Sequence, residues 1–409
     1  MVKETEYDVV VAGAGPAGSS AAIHLSRLGA RVLLVEQKRF PREKLCGEFI
    51  SPECLLHFEK LGVAGQMMAA GGASLTETVF YSGRGRKVSV PSEWFGQEQR
   101  GALGLSRAEM DARLLTRARE AGSTVIEETQ AHGLIIEKGT VRGVELKTCG
   151  GGPFHVRSLV TIDATGRAAA LVRHVESGAA TRRKSRVPLV AFKAHLENAR
   201  LQDGHCEIYF YRGGYGGLSA VESGLSNLCF IARASDVRRL GSDPARVMLE
   251  LVCSNKRAGL TLEHARAASP WLSVALQGFG GRKVVPAPGL LAIGDAASFI
   301  DPFTGSGMLM ALESGQMVAG VIARRLEQLR SGEGFNGLAE DYRAQYGARF
   351  NARLRVSSLL RRAAFVPGLA AAAIHLAGTS ERLRRRLARA TRDKAGGRRQ
   401  NDELEDYST

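Results

Sequence analysis

The chain has 409 residues, of which 44% are apolar and 24% charged, so it can bury a large core and exceeds the usual length of one domain. Its six cysteines form no CxxC pair, which argues against zinc, an iron–sulfur cluster and a disulfide framework. No signal peptide and no run of about 18 apolar residues is present, so we expect a cytoplasmic protein that is soluble or attached to a membrane surface.

The first predicted element is a β-α-β unit. Residues 8–36 contain an apolar run, a glycine turn, a helical pattern and a second apolar run. Gly13 permits the tight turn, Gly15 lets a pyrophosphate approach the backbone, and Gly18 lets helix pack on strand, which together form a GxGxxG fingerprint. Glu36 ends the second strand, where it would accept hydrogen bonds from a ribose hydroxyl and repel a 2′-phosphate. The predicted nucleotide is therefore FAD or NAD rather than NADP.

In the middle of the chain, the spacing of the apolar residues changes twice between a helical and a strand pattern. An amphipathic helix is predicted within residues 105–122, followed by strand-like pieces that end with LVTIDATGR at 159–167. Residues 187–232 are rich in β-forming side chains, with a turn predicted at the GGYGG of 213–217. We expect these β segments to form an antiparallel sheet that walls a substrate chamber.

Residues 290–315 return to strand, turn and helix. Asp295 follows the strand, where its carboxylate suits a ribityl hydroxyl; a helix cap is the alternative role. The helix that opens after Pro302, Gly305 and Gly307 can point backbone N–H groups at the flavin N1 and C2 carbonyl, which gain negative charge on reduction.

The C-terminal region is helical in pattern and rich in arginine. From residue 324 to 399 there are 18 Lys or Arg against 6 Asp or Glu, a net charge of +12. Such a surface attracts anionic lipid, an acidic partner or nucleic acid. The aromatic residues of this region lie at helical spacing and not in a platform on which bases could stack, so we expect no nucleic acid. The apolar residues 363–378 are too few to span a bilayer. We expect this region either to pack on the FAD domain or to receive a lipophilic or carrier-bound substrate at a membrane surface.

Four segments together resemble a known set of flavoproteins. GAGPAG, SRAEMDARLLTRARE, DATGR and GDAASFIDPFTGSGM occur in the order shared by the aromatic-hydroxylase (flavin monooxygenase), flavin-halogenase and geranylgeranyl-reductase groups. The resemblance implies FAD bound without a covalent link, with Arg107 near its pyrophosphate or ribityl chain and Asp295 on the ribityl chain. The predicted cofactor-binding residues are Gly13, Gly15, Pro16, Ala17, Gly18, Glu36, Gln37, Lys44, Cys46, Gly47, Arg107, Ala131, Thr165, Gly166, Gly294, Asp295, Pro302, Gly305, Gly307 and Met308.

The stretch PREKLCGEFISPE, residues 41–53, distinguishes among these groups. Its KLCG resembles the geranylgeranyl-reductase pattern, in which a cysteine approaches the isoalloxazine. Its GE step is similar to the Gly-Glu-Ser of halogenases, but Phe49 stands at the serine position and no WxWxIP stretch is present, which disfavours halogenation. Cys46 and Glu48 are the candidate catalytic residues, with a buried apolar thiol and a structural carboxylate as the alternatives. We predict no metal site.

These observations predict an α/β fold with a Rossmann-like FAD-binding domain, built on a parallel sheet with βαβ units and interleaved with an antiparallel-sheet substrate domain, plus C-terminal helices. The predicted FAD-binding domain comprises residues 1–75, 101–178 and 282–330, the substrate domain 76–100 and 179–281, and the arginine-rich helical region 331–409.

The predicted function is that of an FAD-dependent oxidoreductase. We favour a monooxygenase that acts on a lipophilic or aromatic metabolite through a flavin C4a-hydroperoxide kept from water in a closed chamber. The alternative is reduction of prenyl C=C bonds, as in geranylgeranyl reductases; a halogenase and a nucleic-acid-binding flavoprotein are less favoured. The sequence has one dinucleotide fingerprint, so electrons are predicted to come from NAD(P)H at a transient site or from a separate reductase.

Overall fold

A computed structural model gives the fold and describes residues 6–95, 101–176, 189–302, 305–332, 335–365 and 367–390. The strands are β1 Glu6–Ala12, β2 Val32–Val35, β3 Phe49–Ile50, β4 Ala73–Leu75, β5 Glu77–Tyr81, β6 Lys87–Pro91, β7 Ala102–Gly104, β8 Thr124–Ile126, β9 Thr129–Glu137, β10 Thr140–Thr148, β11 Pro153–Asp163, β12 Leu189–Glu197, β13 His205–Tyr211, β14 Gly214–Ala220, β15 Ser226–Arg233, β16 Arg266–Ala267, β17 Leu272–Leu276, β18 Gly280–Gly281, β19 Leu290–Ala292 and β20 Ser298–Phe299. The helices are α1 Pro16–Arg27, α2 Pro52–Leu61, α3 Ala64–Met68, α4 Arg107–Glu120, α5 Ala170–Glu176, α6 Ala234–Arg239, α7 Pro244–Leu251, α8 Lys256–Thr261, α9 Gly307–Ala323, α10 Leu326–Arg330, α11 Phe335–Ala364, α12 Pro367–Thr379 and α13 Glu381–Ala390.

Within these residues, a seven-stranded sheet has the order β8-β2-β1-β11-β10-β9, with β19 beside the C-terminal part of β11. The pairs β2–β8, β1–β2, β1–β11 and β11–β19 are parallel, whereas β10 is antiparallel to both β9 and β11. All four residues of β2 are buried apolar side chains, as expected for a parallel strand covered on both faces. Helices α1 and α9 pack together in the main core. The predicted α/β class with a β-α-β unit is confirmed.

An eight-stranded sheet has the order β16-β12-β15-β14-β13-β5-β6, with β17 beside β12. The strands of residues 187–232, β12 to β15, pair antiparallel as predicted. The pair β5–β13, which joins this group to an earlier part of the chain, is parallel. β5 arrives from an earlier part of the chain, so no hairpin constrains its direction. One face carries side chains such as Phe192 and Tyr209 and packs with α6 to α8; the other faces a cavity.

The turn predicted at residues 213–217 was wrong beyond its first residue. Gly213 has φ +83° and turns the chain, but Gly214 already begins β14. A Cβ on Gly214 would lie 1.9 Å from the carbonyl oxygen of Ile231, and one on Gly216 would lie 2.8 Å from Cβ of Phe230. These glycines therefore mark a strand with no room for side chains, a role that sequence pattern does not separate from a turn.

The predicted C-terminal helices are present as α11, α12 and α13. Arg353, which is almost fully buried on α11, pairs with Glu313 of α9 at 3.1 Å, so part of the arginine content is structural. In the described part of the chain, no helix is long and apolar enough to cross a bilayer. The predicted boundary at residues 178–179, and residues 391–409 of the predicted arginine-rich region, lie outside the described residues.

Candidate active site

Four parallel strands end at one edge of the seven-stranded sheet. β1, β2, β11 and β19 are followed there by Gly13, Glu36, Thr165 and Asp295, and all four residues line a cavity of about 650 Å³. Ligands of such sheets bind outside the carboxyl ends of the strands, and the volume lies in the range of small-molecule sites. This edge is therefore the candidate cofactor site.

The three glycines of the fingerprint differ in what surrounds them. A Cβ at Gly13 would lie 2.4 Å from the carbonyl oxygen of Ala164, and one at Gly18 would lie 1.8 Å from the carbonyl oxygen of Gly13. Gly13 also has φ +104°, a conformation that favours glycine. By contrast, a Cβ at Gly15 would meet nothing nearer than Nη2 of Arg107 at 3.8 Å, and Gly15 lines the cavity. The free space at Gly15, where α1 begins, fits a pyrophosphate.

Glu36 holds the glycine turn and faces the cavity. Its Oε2 accepts a hydrogen bond from the backbone N–H of Ala14 at 3.0 Å, and its Oε1 accepts one from that of Lys38 at 3.0 Å. A carboxylate has about four acceptor positions, so Glu36 keeps capacity for a ribose hydroxyl. Gln37 lines the same part of the site.

The DATGR turn is ordered by a buried carboxylate. Asp163 is fully buried and accepts hydrogen bonds from the backbone N–H and hydroxyl of Thr165 and from the N–H groups of Leu171 and Val172. These bonds connect the end of β11 to the first turn of α5. They hold Thr165 and Gly166 in the cavity wall.

Asp295 places a carboxylate among basic side chains. Burial raises the pKa of Asp295, and the charges of Arg167, Arg107 and Lys44 partly offset that rise. The start of α9 lies in the same wall, which includes Pro302, Gly305, Gly307 and Met308. These features together fit FAD. The open glycine turn, the two helix N-termini and the cations suit its phosphates, and the carboxylates suit its hydroxyl groups.

We expect Asp295→Ala to weaken FAD binding by roughly 1–3 kcal/mol, because a charged hydrogen-bond acceptor is removed from the site. Flavin-fluorescence titration of the apoprotein measures the dissociation constant. Asp295→Asn keeps an acceptor oxygen and serves as the matched control, with a smaller loss expected. An Asp295→Ala dissociation constant equal to that of the wild type would show that the carboxylate does not hold the cofactor.

Cys46 lies where the FAD crevice meets the eight-stranded sheet. Asn227 on β15 donates a hydrogen bond to the carbonyl oxygen of Cys46 at 3.0 Å, and Ser219 on β14 donates one to that of Gly47 at 3.4 Å. Burial raises the pKa of the Cys46 thiol, and the charge of Arg107 offsets part of the rise. The group that lines the cavity is therefore a thiol rather than a thiolate at neutral pH.

Glu48 is fully buried and has φ +53°, an uncommon conformation for a residue with a side chain. Its Oε1 accepts hydrogen bonds from the backbone N–H of Arg107 at 2.9 Å and from Nζ of Lys193 at 2.9 Å. Its Oε2 lies 2.6 Å from Nε2 of His195. Burial alone raises the pKa of Glu48, but the hydrogen bond from His195 and the charge of Lys193 outweigh it and lower the pKa overall.

Lys193 completes this cluster. Burial lowers the pKa of Lys193, but the charges of Glu48 and Glu43 and its hydrogen bonds to both outweigh that effect and raise it. The carboxylates of Glu43 and Glu48 and a nitrogen of His195 lie close enough to hold a metal ion. The Lys193 ammonium already contacts both carboxylates, so the cluster has its positive charge without a metal. The cluster ties the KLCGE segment to β12.

The cavity continues from Cys46 along the eight-stranded sheet as an apolar chamber. Its wall includes Phe80, Val90, Ile208, Phe210, Ile231 and Leu276. The alternation of β13 places Ile208 and Phe210 in this wall and turns Tyr209 to the opposite face, where its hydroxyl bonds Glu207. Tyr215 reaches the wall and donates a hydrogen bond to Asp301.

The predicted cofactor residues line the cavity with two exceptions, Gly18 and Gly294. Both are packing positions: a Cβ on Gly294, which has φ +56°, would lie 2.8 Å from Cβ of Ala17. Sequence reasoning did not identify Lys193 and His195. The available signal was their i, i+2 spacing in the otherwise apolar VAFKAHL, which puts both on one face of a strand.

Comparison with known proteins gives a family and several relatives. The family model described as "FAD binding domain" matches residues 6–352. The digeranylgeranylglycerophospholipid reductase of Methanosarcina mazei is 28% identical over 322 residues, which cover 76% of this chain and 74% of that protein. The menaquinone reductase of Mycobacterium tuberculosis strain H37Rv is 28% identical over 384 residues, covering 90% and 87%. The solved structure of the flavin-dependent brominase Bmp2 has a TM-score of 0.76 at 22% identity, covering 95% of this chain and 93% of that one, which shows a shared fold.

Proposed function

The chain belongs to the FAD binding domain family and is an FAD-dependent oxidoreductase, and from this premise we propose that it reduces C=C bonds in the isoprenoid chain of a lipid. The observation that carries the proposal is the apolar chamber that extends directly from the cofactor crevice. A chamber with this lining suits a hydrocarbon chain, since burial of apolar surface supplies its binding energy. Both relatives are named as reductases of lipids that carry such chains.

The chemistry requires a hydride, a proton and a dry site. Bound FAD, once reduced by NAD(P)H or by a separate reductase, supplies the hydride. The chain supplies the rest: apolar walls that exclude water and a protonated Cys46 at the junction of crevice and chamber. We assign to the Cys46 thiol the proton that is added to the second carbon, with solvent restoring it afterwards. Glu48, held by Lys193 and His195, positions the segment that carries Cys46.

An anaerobic experiment separates this reaction from the monooxygenase reaction that the sequence favours. Holoenzyme reduced without oxygen is mixed with geranylgeraniol, and the flavin absorption and product mass are followed. We expect reoxidation of the flavin without oxygen and a product that gains two hydrogens for each reduced bond. Reoxidation that needs oxygen, with a product that gains an oxygen atom, would support the monooxygenase instead.

We expect Cys46→Ser to lower turnover of the isoprenoid substrate by roughly 10²-fold, the lower end of the range for losing a positioned proton donor. FAD content and melting temperature should stay at wild-type values, because the substitution is nearly isosteric. Cys229→Ser is the matched control, since Cys229 also lines the cavity and burial also raises the pKa of its thiol. Equal turnover by the Cys46 variant and wild type would reduce Cys46 to a wall residue.

A further inference from the structure

The C-terminal helices close the apolar chamber. Ile374 and Ala377 of α12 are buried against the chamber side of the eight-stranded sheet, in one cluster with Val88 and Phe210. Helix α13 follows after one residue and packs beside β6. Together, α12 and α13 therefore form one wall of the chamber and not a separate surface.

Arg384 of α13 is the basic residue of this wall. It lines the cavity together with Ala373, Ile374 and Ala377. Its Nε is shielded from solvent and has no hydrogen-bond partner among the described residues. An unpaired buried donor on a charged group is costly. Arg384 as a whole is half-buried, so the cost falls on Nε, and an anion in the chamber would supply the acceptor that the described part of the chain does not provide.

The neighbouring arginines differ from Arg384. The Arg385 guanidinium lies 5.1 Å from the ring centre of Trp94 and 3.4 Å from the carboxylate of Glu381. Arg382 and Arg386 are exposed. These three side chains place positive potential around α13, whereas Arg384 alone among the four lines the chamber.

We propose that Arg384 binds the phosphate headgroup of an amphiphilic substrate whose isoprenoid chain occupies the chamber, an inference that rests on the proposed function. The guanidinium offers a planar set of donors that matches phosphate oxygens, and a charge-assisted bond to phosphate would satisfy Nε. The headgroup then lies at α13, and the chain extends between the apolar walls toward Cys46 and the cofactor crevice. The substrate class is thereby narrowed to isoprenoid phosphates and phospholipids, and neutral prenylquinones lack the group that Arg384 requires.

The test compares ligands that share one chain. Geranylgeranyl phosphate and geranylgeraniol are titrated into the FAD-loaded enzyme, with Arg384→Ala and Arg385→Ala as the variants. Arg384→Ala should raise the dissociation constant of geranylgeranyl phosphate by about 10- to 100-fold, the range for a lost charged hydrogen bond. Its affinity for geranylgeraniol should not change. Arg385→Ala should leave both affinities and the FAD content at wild-type values.

Other outcomes overturn the inference in distinguishable ways. If Arg384→Ala weakens binding of geranylgeranyl phosphate and geranylgeraniol equally, Arg384 only shapes the wall. If it weakens binding of neither, Arg384 does not contact the ligand. Vesicles of phosphatidylglycerol provide a further arm: if Arg384→Ala weakens vesicle binding but not geranylgeranyl phosphate binding, the anion is a membrane headgroup and not the substrate's own. Tight, Arg384-dependent binding without any double-bond reduction would leave this inference standing and defeat the proposed function. Equal double-bond reduction of geranylgeranyl phosphate and geranylgeraniol, by wild type and Arg384→Ala alike, would support the proposed function and defeat this inference.

Discussion

Gly15→Val is expected to abolish FAD binding while the protein stays folded. The backbone at Gly15 has φ −68° and ψ −176°, which any residue adopts, and a Cβ there would meet only Nη2 of Arg107 at 3.8 Å. A valine side chain therefore fits the protein alone but occupies the space in which the pyrophosphate approaches the start of α1. The flavin absorption of the purified protein and its far-ultraviolet circular dichroism measure the two parts of the prediction.

Gly18→Val is the matched control for this experiment. Its Cβ would lie 1.8 Å from the carbonyl oxygen of Gly13 and 3.2 Å from Cβ of Ala164, so the helix must move away from the strand. We expect the Gly18 variant to lose folding stability and to lose FAD as a consequence, whereas Gly15→Val loses FAD alone. A folded Gly15→Val protein that carries one FAD per chain would place the pyrophosphate elsewhere.

Sequence pattern predicts which residues meet at this edge of the sheet, because the signals for them are local. The turn at Gly13, the acidic strand end at Glu36 and the strand-turn-helix around Asp295 each need only a short stretch of chain to be recognised. Because the strands before these three features are parallel, all three features lie at the same edge of the sheet. The wall residues were predictable for this reason, although the structure was needed to show which glycines line the cavity and which pack against the protein.

Contacts between distant segments were not predictable in the same way. Glu48 meets Lys193 and His195 across more than 140 positions, and a single sequence contains no information on that register. The chamber wall formed by α12 likewise depends on the packing of a helix far along the chain. At residues 214–217 the pattern predicted a turn where the structure has a strand, because glycine is required both by turns and by tightly packed strands.

Glu48→Ala is expected to destabilise the protein by roughly 3–5 kcal/mol, the range for removing one partner of a buried ion pair. The substitution leaves Lys193, which is 1% exposed, with Glu43 as its remaining carboxylate partner, and it removes the acceptor of His195 and of the Arg107 N–H. Urea unfolding of the holoenzyme at pH 7 measures the change in the free energy of unfolding. The same variant should shift the flavin absorption spectrum, because the segment that carries Cys46 loses its attachment to β12.

Two further variants test whether the loss of stability in Glu48→Ala is caused by the burial of the charges. Glu43→Ala removes the other carboxylate from Lys193, but the Glu43 side chain is 42% exposed, so we expect a loss of about 1 kcal/mol or less. Adding Lys193→Met to Glu48→Ala removes the uncompensated buried charge and should restore part of the stability. A double variant as unstable as Glu48→Ala would assign the loss of stability to the missing hydrogen-bond acceptor of His195 and of the Arg107 N–H, and not to the uncompensated charge of Lys193.

The pH dependence of the wild type should change in a defined direction. Because the pKa of Glu48 is lower in the folded protein than its ordinary value of 4.5, its contribution is complete above that value and is lost as pH falls through the folded pKa. The pKa of Lys193 is raised above 10.5, so its contribution is complete below that value and is lost as pH rises through the folded pKa. The difference in unfolding free energy between wild type and Glu48→Ala should therefore shrink as the pH falls below about 5 and as it rises above about 10. A difference that does not shrink between about pH 5 and pH 3 would contradict an ionised Glu48, and the buried cluster would then be held by neutral hydrogen bonds.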